Sequence, residues 1–437
     1  MDVPAGRVHT LETTVRHLPG QGSPASFDQR RHAGLGSRPG SWMALALRLP
    51  FPTTRDELAR AWLAVVARHG TLRTVVTGTP GSDDDPLRLA DVEVTGGHWH
   101  TPCPEPGGDP RPVLRRLLDR ACDPFAAPSH RLCLVEPDDP ARTPVVVVGL
   151  DHCHVDAWSL LVLMRDLVTC LDDVVKGREP GAAAAPAPAF AEHTRELAAR
   201  PSPPAWVHER WSRVLDAGDG GMPVFPLDLG DVSEPRDEVV EVRDVLGPDA
   251  LDRLEEAARA AGVRMIALAV SEMTRVVAER GGGPLRAVLP VHSRGGDGRW
   301  DDSVGWFITN SVLECASPDP ADCARAVREA VALGAHALDP VLGPHGGMPH
   351  TPGMFAVSWL DNRRLPVDVD LSLRPQHVSA SIRTTGVMVW FVVNATGLHV
   401  RCRYPGTGTA RHTVGAWLDE VCRGLARRAS PVAATAR

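Results

Sequence analysis

The chain has 437 residues, 43% of them hydrophobic and 23% charged, so it can build two or three cored domains; a disulfide-stapled mini-protein, a fibrous repeat and wholesale disorder are excluded. A formal net charge of −7 supplies no basic field for wrapping nucleic-acid phosphates. Nine cysteines, an odd number without a CxxC pair, fit reduced thiols. Met1-Asp-Val-Pro4 opens neither a leader nor a lipidation pattern, and no run of about 18 apolar residues is present to cross a bilayer, so a cytoplasmic protein without membrane association is expected. Lys176 is the sole lysine beside many arginines, which with abundant Ala, Gly and Pro reads as the bias of a GC-rich bacterial genome.

In chain order, Thr54-Arg-Asp-Glu57 is a capping box leading into Leu58, Ala61, Trp62, Val65 and Val66, which predicts a helix over 55–68. A second helix is expected over 112–122 and a strand over 131–136. Thr143-Pro-Val-Val-Val-Val-Gly-Leu150 is the continuous run of a strand buried on both faces, placed centrally in its sheet. It runs into Asp151-His-Cys-His-Val-Asp156, after which Leu160, Leu163, Met164, Leu167 and Leu171 repeat at helical intervals behind Ser159 as the cap. The polar cluster therefore sits on a strand-to-helix loop, where rigid scaffolds place reactive groups.

The Gly, Pro and Ala tract over 177–188 reads as a connector between lobes. A polar helical stretch through Trp211 precedes a strand over 239–245, a helix opened by Pro248 and closed by Gly262, and a helix over 265–280. Further strands are expected over 285–290, 307–314, 355–360, 387–394 and 398–404, and a last helix carries Val414, Trp417, Leu418, Val421 and Leu425. The pattern predicts two α/β sandwiches: an N-terminal lobe over 1–180, a connector over 181–230, a C-terminal lobe over 231–428 and a disordered tail over 429–437.

His152 and Asp156 form an H-x-x-x-D unit on that loop. Histidine alone has an unperturbed pKa that lets it take and return a proton near neutrality, so a scaffolded loop histidine suits general-base catalysis; the same spacing also arises by accident around a structural histidine. The surroundings decide between these. Gly149-Leu-Asp-His-Cys-His-Val-Asp-Ala-Trp-Ser159 resembles the H-H-x-x-x-D-G signature of nonribosomal peptide synthetase condensation domains and related CoA-dependent acyltransferases. Ser26-Phe-Asp-Gln29 is similar to the family's S-x-x-Q, and Arg68-His-Gly-Thr-Leu-Arg-Thr74 to its R-H-x-x-L-R-T. Trp211 to Leu215 with Phe225-Pro-Leu-Asp-Leu229 resembles the connector. Pro290-Val-His-Ser-Arg294 and Val304-Gly-Trp-Phe-Ile-Thr-Asn310 resemble the second-lobe P-V-x-x-R and V-G-x-F-x-N. Asp151 and the segment Ser358-Trp-Leu-Asp-Asn-Arg-Arg-Leu-Pro366 lean toward the stand-alone polyketide-associated (Pap-type) acyltransferases of actinobacteria.

The resemblance implies an α/β (α+β) fold of two chloramphenicol acetyltransferase-like lobes in a V-shaped pseudo-dimer, with a tunnel between them and His152 midway. It implies transfer of an acyl group from a CoA or carrier-protein thioester to a hydroxyl or amine in secondary metabolism. His152 is the implied general base, the backbone N–H of Ala157 a donor to the oxyanion, and Asp156 an architectural partner of Arg294 across the lobe junction. Trp158, Ser159, Trp306 and Asn310 align with tunnel-proximal positions, and indoles there serve core packing equally well. No metal or redox cofactor and no nucleic acid is implied, and a monomer is expected.

Two positions depart from the pattern: Asp151 replaces the first histidine, and Ala157 the glycine, whose freedom at positive φ or close to substrate would then be lost. They leave open a catalytically silent, condensation-like module that docks a carrier protein or recruits a tailoring enzyme; hydrolysis of the thioester is a third reading. Cys153 and His154 read as packing residues on a strand-like run, not as a nucleophile or zinc ligands. His98-Trp-His100 with Cys103 reads as a half-buried strand with solvated imidazoles, and Gly281-Gly-Gly283 as a turn after a helix.

Overall fold

A computed structural model describes residues 1–20, 22–102, 108–368 and 370–430; Cys103 and the tail from 431 lie outside them. The chain divides into two compact units. The first holds Met1–Arg200, Arg294–Phe307 and Pro366–Ala380, and the second holds Pro201–Ser293, Ile308–Leu365 and the remainder. The division at 200 falls inside the expected 181–230 connector, and two segments expected in the C-terminal lobe belong to the first unit. Linear composition marks a connector but not a chain that returns to an earlier core.

The sheet of the first unit runs in the order Gln376–Ser379, Trp42–Arg48, Val145–Asp151, His130–Pro137, Gly6–His17, Arg88–His100 and Ser23–Pro24, with Thr74–Thr77 also paired to Arg88–His100. Val145–Asp151 is buried at every residue and antiparallel to both neighbours, as its unbroken apolar run requires. Each valine buried there contributes about 1.5–3 kcal/mol relative to exposure. Helix Arg55–Arg68 starts at Thr54 with both capping-box hydrogen bonds formed. It packs on helix Ala157–Val175, and His69, just beyond its end, places Nε2 2.7 Å from Asp166 of that second helix. The R-H-x-x-L-R-T residues thereby tie one helix to the next: Arg68 adds an ion pair to Asp166 at 3.0 Å.

Helix Ala157–Val175 ends where Gly177 takes φ +69 and the N–H of Arg178 donates to the carbonyl of Asp173 at 2.8 Å, a turn that a side chain at 177 would strain. The 181–230 connector contains two helices, Phe190–Ala198 in the first unit and Ala205–Asp216 in the second.

The second unit has a mixed sheet in the order Ile308–Cys315, Leu285–His292, Phe355–Asp361, Val387–Asn394, Gly397–Pro405, Arg236–Leu246 and Arg383–Thr384. Helices Pro248–Ala260, Met265–Glu279 and Gly408–Arg428 share one apolar core with it. Gly262, at φ +68, closes the first of these as expected, with Val263 N–H donating to Ala258 O at 2.9 Å. The start of the expected tail is ordered: Ala429 is buried, and its carbonyl accepts from Arg253 Nε at 2.7 Å. Gly281 turns the chain at φ +81 just after Met265–Glu279. Among the described residues no helix is long and apolar enough to cross a membrane.

Candidate active site

The buried strand Val145–Asp151 delivers the loop, and two aspartates shape it. Asp151 Oδ1 accepts from Cys153 N–H at 2.8 Å and turns the chain into a 3-10 turn, His152–His154. The strand-like geometry expected for Asp151 to His154 therefore stops at Asp151, because the aspartate side chain captures the backbone donor that a strand would pair. Asp156 then caps helix Ala157–Val175, accepting from Ser159 N–H at 2.7 Å. Ser159, expected as the cap, lies inside the first turn. Its Oγ instead donates to the carbonyl of Gly305 at 2.9 Å and accepts from Gly305 N–H at 3.1 Å.

Two other contacts hold the turn. His152 N–H donates to Ser41 O at 3.0 Å, and buried Gln29 donates from Nε2 to Cys153 O at 2.7 Å. Gln29 closes the capping box of helix Phe27–Ala33, so the S-x-x-Q pattern serves both a helix start and the loop. Cys153 packs with Ala33 and Leu89, and burial, then the Asp151 charge, pushes its thiol well up, so it is held as a thiol rather than a nucleophilic thiolate.

His152 is partly exposed, with Nδ1 buried and without a partner of hydrogen-bond geometry. Trp306 lies over it with ring centroids 4.1 Å apart. Its pKa is lowered to about 4, first by desolvation and then by His32, so the imidazole is neutral at pH 7. Asp156 is turned to other partners: Oδ2 accepts from Phe307 N–H at 3.1 Å, and Arg294 Nη2 lies 3.3 and 3.5 Å from the two oxygens.

Arg294 is 1% exposed and sits among Trp158 and Phe307, its guanidinium carbon 4.8 and 3.9 Å from their ring centroids. Burial lowers its pKa against the opposing pull of Asp156. Nη1 donates to the carbonyls of Trp300 and Ser303 at 2.5 and 2.8 Å, and Nη2 donates to Ser159 Oγ at 2.9 Å. Two expectations change here. The pair is an end-on contact from one nitrogen, not a fork, because the other nitrogen folds the 294–307 segment; and both partners belong to one unit. Gly305 in that segment faces Phe190 so closely that a Cβ would lie 2.4 Å from its ring.

Ala157 is the first residue of its helix, where a backbone N–H has no preceding carbonyl to bond. Among the described residues the only non-glycine positions with positive φ are Asp219 and Arg374, so the backbone at Ala157 does not require glycine. Trp158 Nε1 donates to Asp301 O at 3.1 Å. Trp306 and Ser159 join His152, Asp156 and Arg294 in the first unit, whereas Asn310 lies on strand Ile308–Cys315 of the second. His98 and His100 are exposed on strand Arg88–His100, as expected.

The sequence pattern missed His32 on helix Phe27–Ala33. Its Nε2 lies 3.2 Å from Asp151 Oδ2 and its Nδ1 2.9 Å from Arg38 Nη2. His32, Asp151 and Cys153 bring nitrogen, oxygen and sulfur within 4.8 Å of one another, but the guanidinium against the ring and the protonated thiol make this a hydrogen-bonded cluster ill suited to a cation. No signal short of the fold links residue 32 to residue 151.

No family model matches the chain. Over 311 residues, 68% of this chain, it is 27% identical to a dimodular nonribosomal peptide synthase of Bacillus subtilis (strain 168), spanning 13% of that protein's length. Among solved structures, the PapA2 acyl transferase superposes with a TM-score of 0.82 at 19% identity over 98% of each chain. The first condensation domain of the CDA synthetase gives 0.69 at 17% identity over 96% of this chain and 98% of that one. The chain therefore has the fold of the PapA2 acyl transferase and of the condensation domain.

Proposed function

We propose that the protein is a condensation-type acyltransferase of secondary metabolism, moving an acyl group from a CoA or carrier-protein thioester to a hydroxyl or amine. The observation that carries this reading is the state of His152: a partly exposed histidine, neutral because its pKa is lowered to about 4, at the end of a buried strand. The shared fold with an acyl transferase and a condensation domain, and the peptide-synthase relative, support it.

In the tautomer with the proton on Nδ1, which is buried near the residue's own backbone, Nε2 keeps the lone pair. The acceptor's O–H or N–H gives its proton to Nε2 as its oxygen or nitrogen attacks the thioester carbonyl. When the C–S bond breaks, the imidazolium returns that proton to the departing thiolate, so one side chain serves both steps. Developing charge on the carbonyl oxygen is met by a backbone donor, the N–H of Ala157 at the positive end of its helix. Asp156 and Arg294 shape the loop and do not relay the proton. The reading asks for no cofactor beyond the donor's own pantetheine arm.

The test is turnover of a panel of acyl-CoA and acyl-carrier-protein thioesters with alcohol and amine acceptors, followed by mass spectrometry. His152→Ala should abolish ester or amide formation while leaving the fold intact. Undiminished turnover in that variant overturns the assignment, release of free acid alone indicates hydrolysis, and no turnover by the wild type with carrier-protein binding retained indicates a silent docking module.

A further inference from the structure

Asp151, which departs from the family pattern, has a dedicated partner in His32. Arg38 Nη2 lies 2.9 Å from His32 Nδ1, and a guanidinium can only donate, so Nδ1 holds the lone pair and the ring proton sits on Nε2. That proton points at Asp151 Oδ2, 3.2 Å away. Arg38 is fixed in turn, its Nη1 donating to the carbonyls of His32 and Gly36 at 2.9 and 3.1 Å. The other oxygen of Asp151, which is 0% exposed, holds the N–H of Cys153, next to His152. A directed chain therefore runs from Arg38 through His32 and Asp151 into the turn that carries the base.

His32 also meets the base from the side. Its ring centroid is 6.0 Å from that of His152 and 5.3 Å, edge-on, from Trp306, the ring that covers His152. The geometry points to His32 as a positioning residue: through Asp151 it fixes the turn that begins at His152, and through Trp306 it fixes the plane of the His152 ring. This rests on the reading of His152 as the base.

The groups facing these rings set the pH response. His152 meets His32 from the Phe27–Ala33 helix, and Asp151 and Asp156 from its own loop; His32 meets Arg38, Asp151, His152 and His154. Burial pushes the Asp151 carboxyl up, but its contacts with His32, then His154 and Ser41, leave it below the ordinary value, so it stays ionised. Removing the Nε2–H donor leaves the buried Asp151 carboxylate, which favours charge on His152, without that partner, and this raises the His152 pKa.

The test compares His32→Leu with His32→Gln, whose amide can still donate to Asp151. His32→Leu is expected to lower kcat at least about tenfold with KM unchanged, and His32→Gln to stay within about threefold of wild type. In His32→Leu, NMR titration of labelled His152 is expected to shift upward by roughly one pH unit, and in His32→Gln to stay nearer wild type. An unmoved titration in His32→Leu overturns the inference, whatever the activity, as does equal damage to kcat by Leu and Gln. If wild type transfers no acyl group but the His32→Leu titration moves, the coupling stands and the acyltransferase reading falls. Should His32→Leu not fold, His32→Ala takes its place and is read the same way.

Discussion

Replacing Arg294 by methionine tests the buried architecture behind the loop. Arg294 and Asp156 are each 1% exposed, so neither can exchange its partner for bulk water. The substitution keeps side-chain bulk between Trp158 and Phe307 but leaves Asp156 with only the N–H groups of Ser159 and Phe307, and leaves the carbonyls of Trp300 and Ser303 without this donor. Breaking one side of a buried pair costs about 3–5 kcal/mol, and orphaned carbonyls add to it. At 2–4 °C per kcal/mol for a unit of this size, melting should fall by roughly 10–20 °C. Arg294→Lys keeps the charge but cannot serve carboxylate, hydroxyl and two carbonyls together, and should lie about midway. Asp156→Asn combined with Arg294→Met removes the stranded charge and should be less damaging than Arg294→Met alone. Thermal unfolding followed by tryptophan fluorescence reads these proteins together with the single variant Asp156→Asn, which completes the cycle. Melting of Arg294→Met within about 2 °C of wild type, or strict additivity in the double variant, would refute the reasoning.

Acid should destabilise the protein well before its carboxylates titrate. Desolvation lowers His130 to about 3, and His152 and His193 to about 4, from 6.5. Each is a group whose folded pKa lies below its unfolded one, so its contribution is complete above about pH 6.5 and is lost as pH falls toward 4, at up to roughly 1.4 kcal/mol per pH unit per histidine. Urea unfolding at pH 7, 5.5 and 4.5 measures this, and equal stability at pH 7 and 5 would count against it. Ala157→Gly should not raise turnover and should cost under about 1 kcal/mol, since the backbone there asks for no positive φ; a several-fold gain in rate would show that the alanine methyl obstructs substrate.

Where neighbours in sequence decide the geometry, the elements could be read directly. Thr54 and Glu57 start their helix by bonding each other's backbone, and the valine run of 145–148 has no stable place outside a sheet interior. The H-x-x-x-D loop was legible for the same reason: strand, loop and helix are contiguous, and the resemblance supplied the role proposed for His152. Local pattern erred on the cap, because Ser159 and Asp156 are both good capping residues, and only the bond from Oδ1 to the third residue's N–H selects the aspartate.

Contacts between distant segments lay beyond the sequence. Alternation and capping constrain neighbours within a few residues, whereas the bonds of Gln29 to Cys153, His32 to Asp151 and Arg294 to Asp156 join positions more than 100 apart. The same limit hid the return of segments 294–307 and 366–380 to the first unit. Short-range hydrogen bonding and hydrophobic period determined which elements form and where His152 stands. The tertiary fold alone decided which side chains surround it, because desolvation and charge act through space, and the sequence does not record those distances.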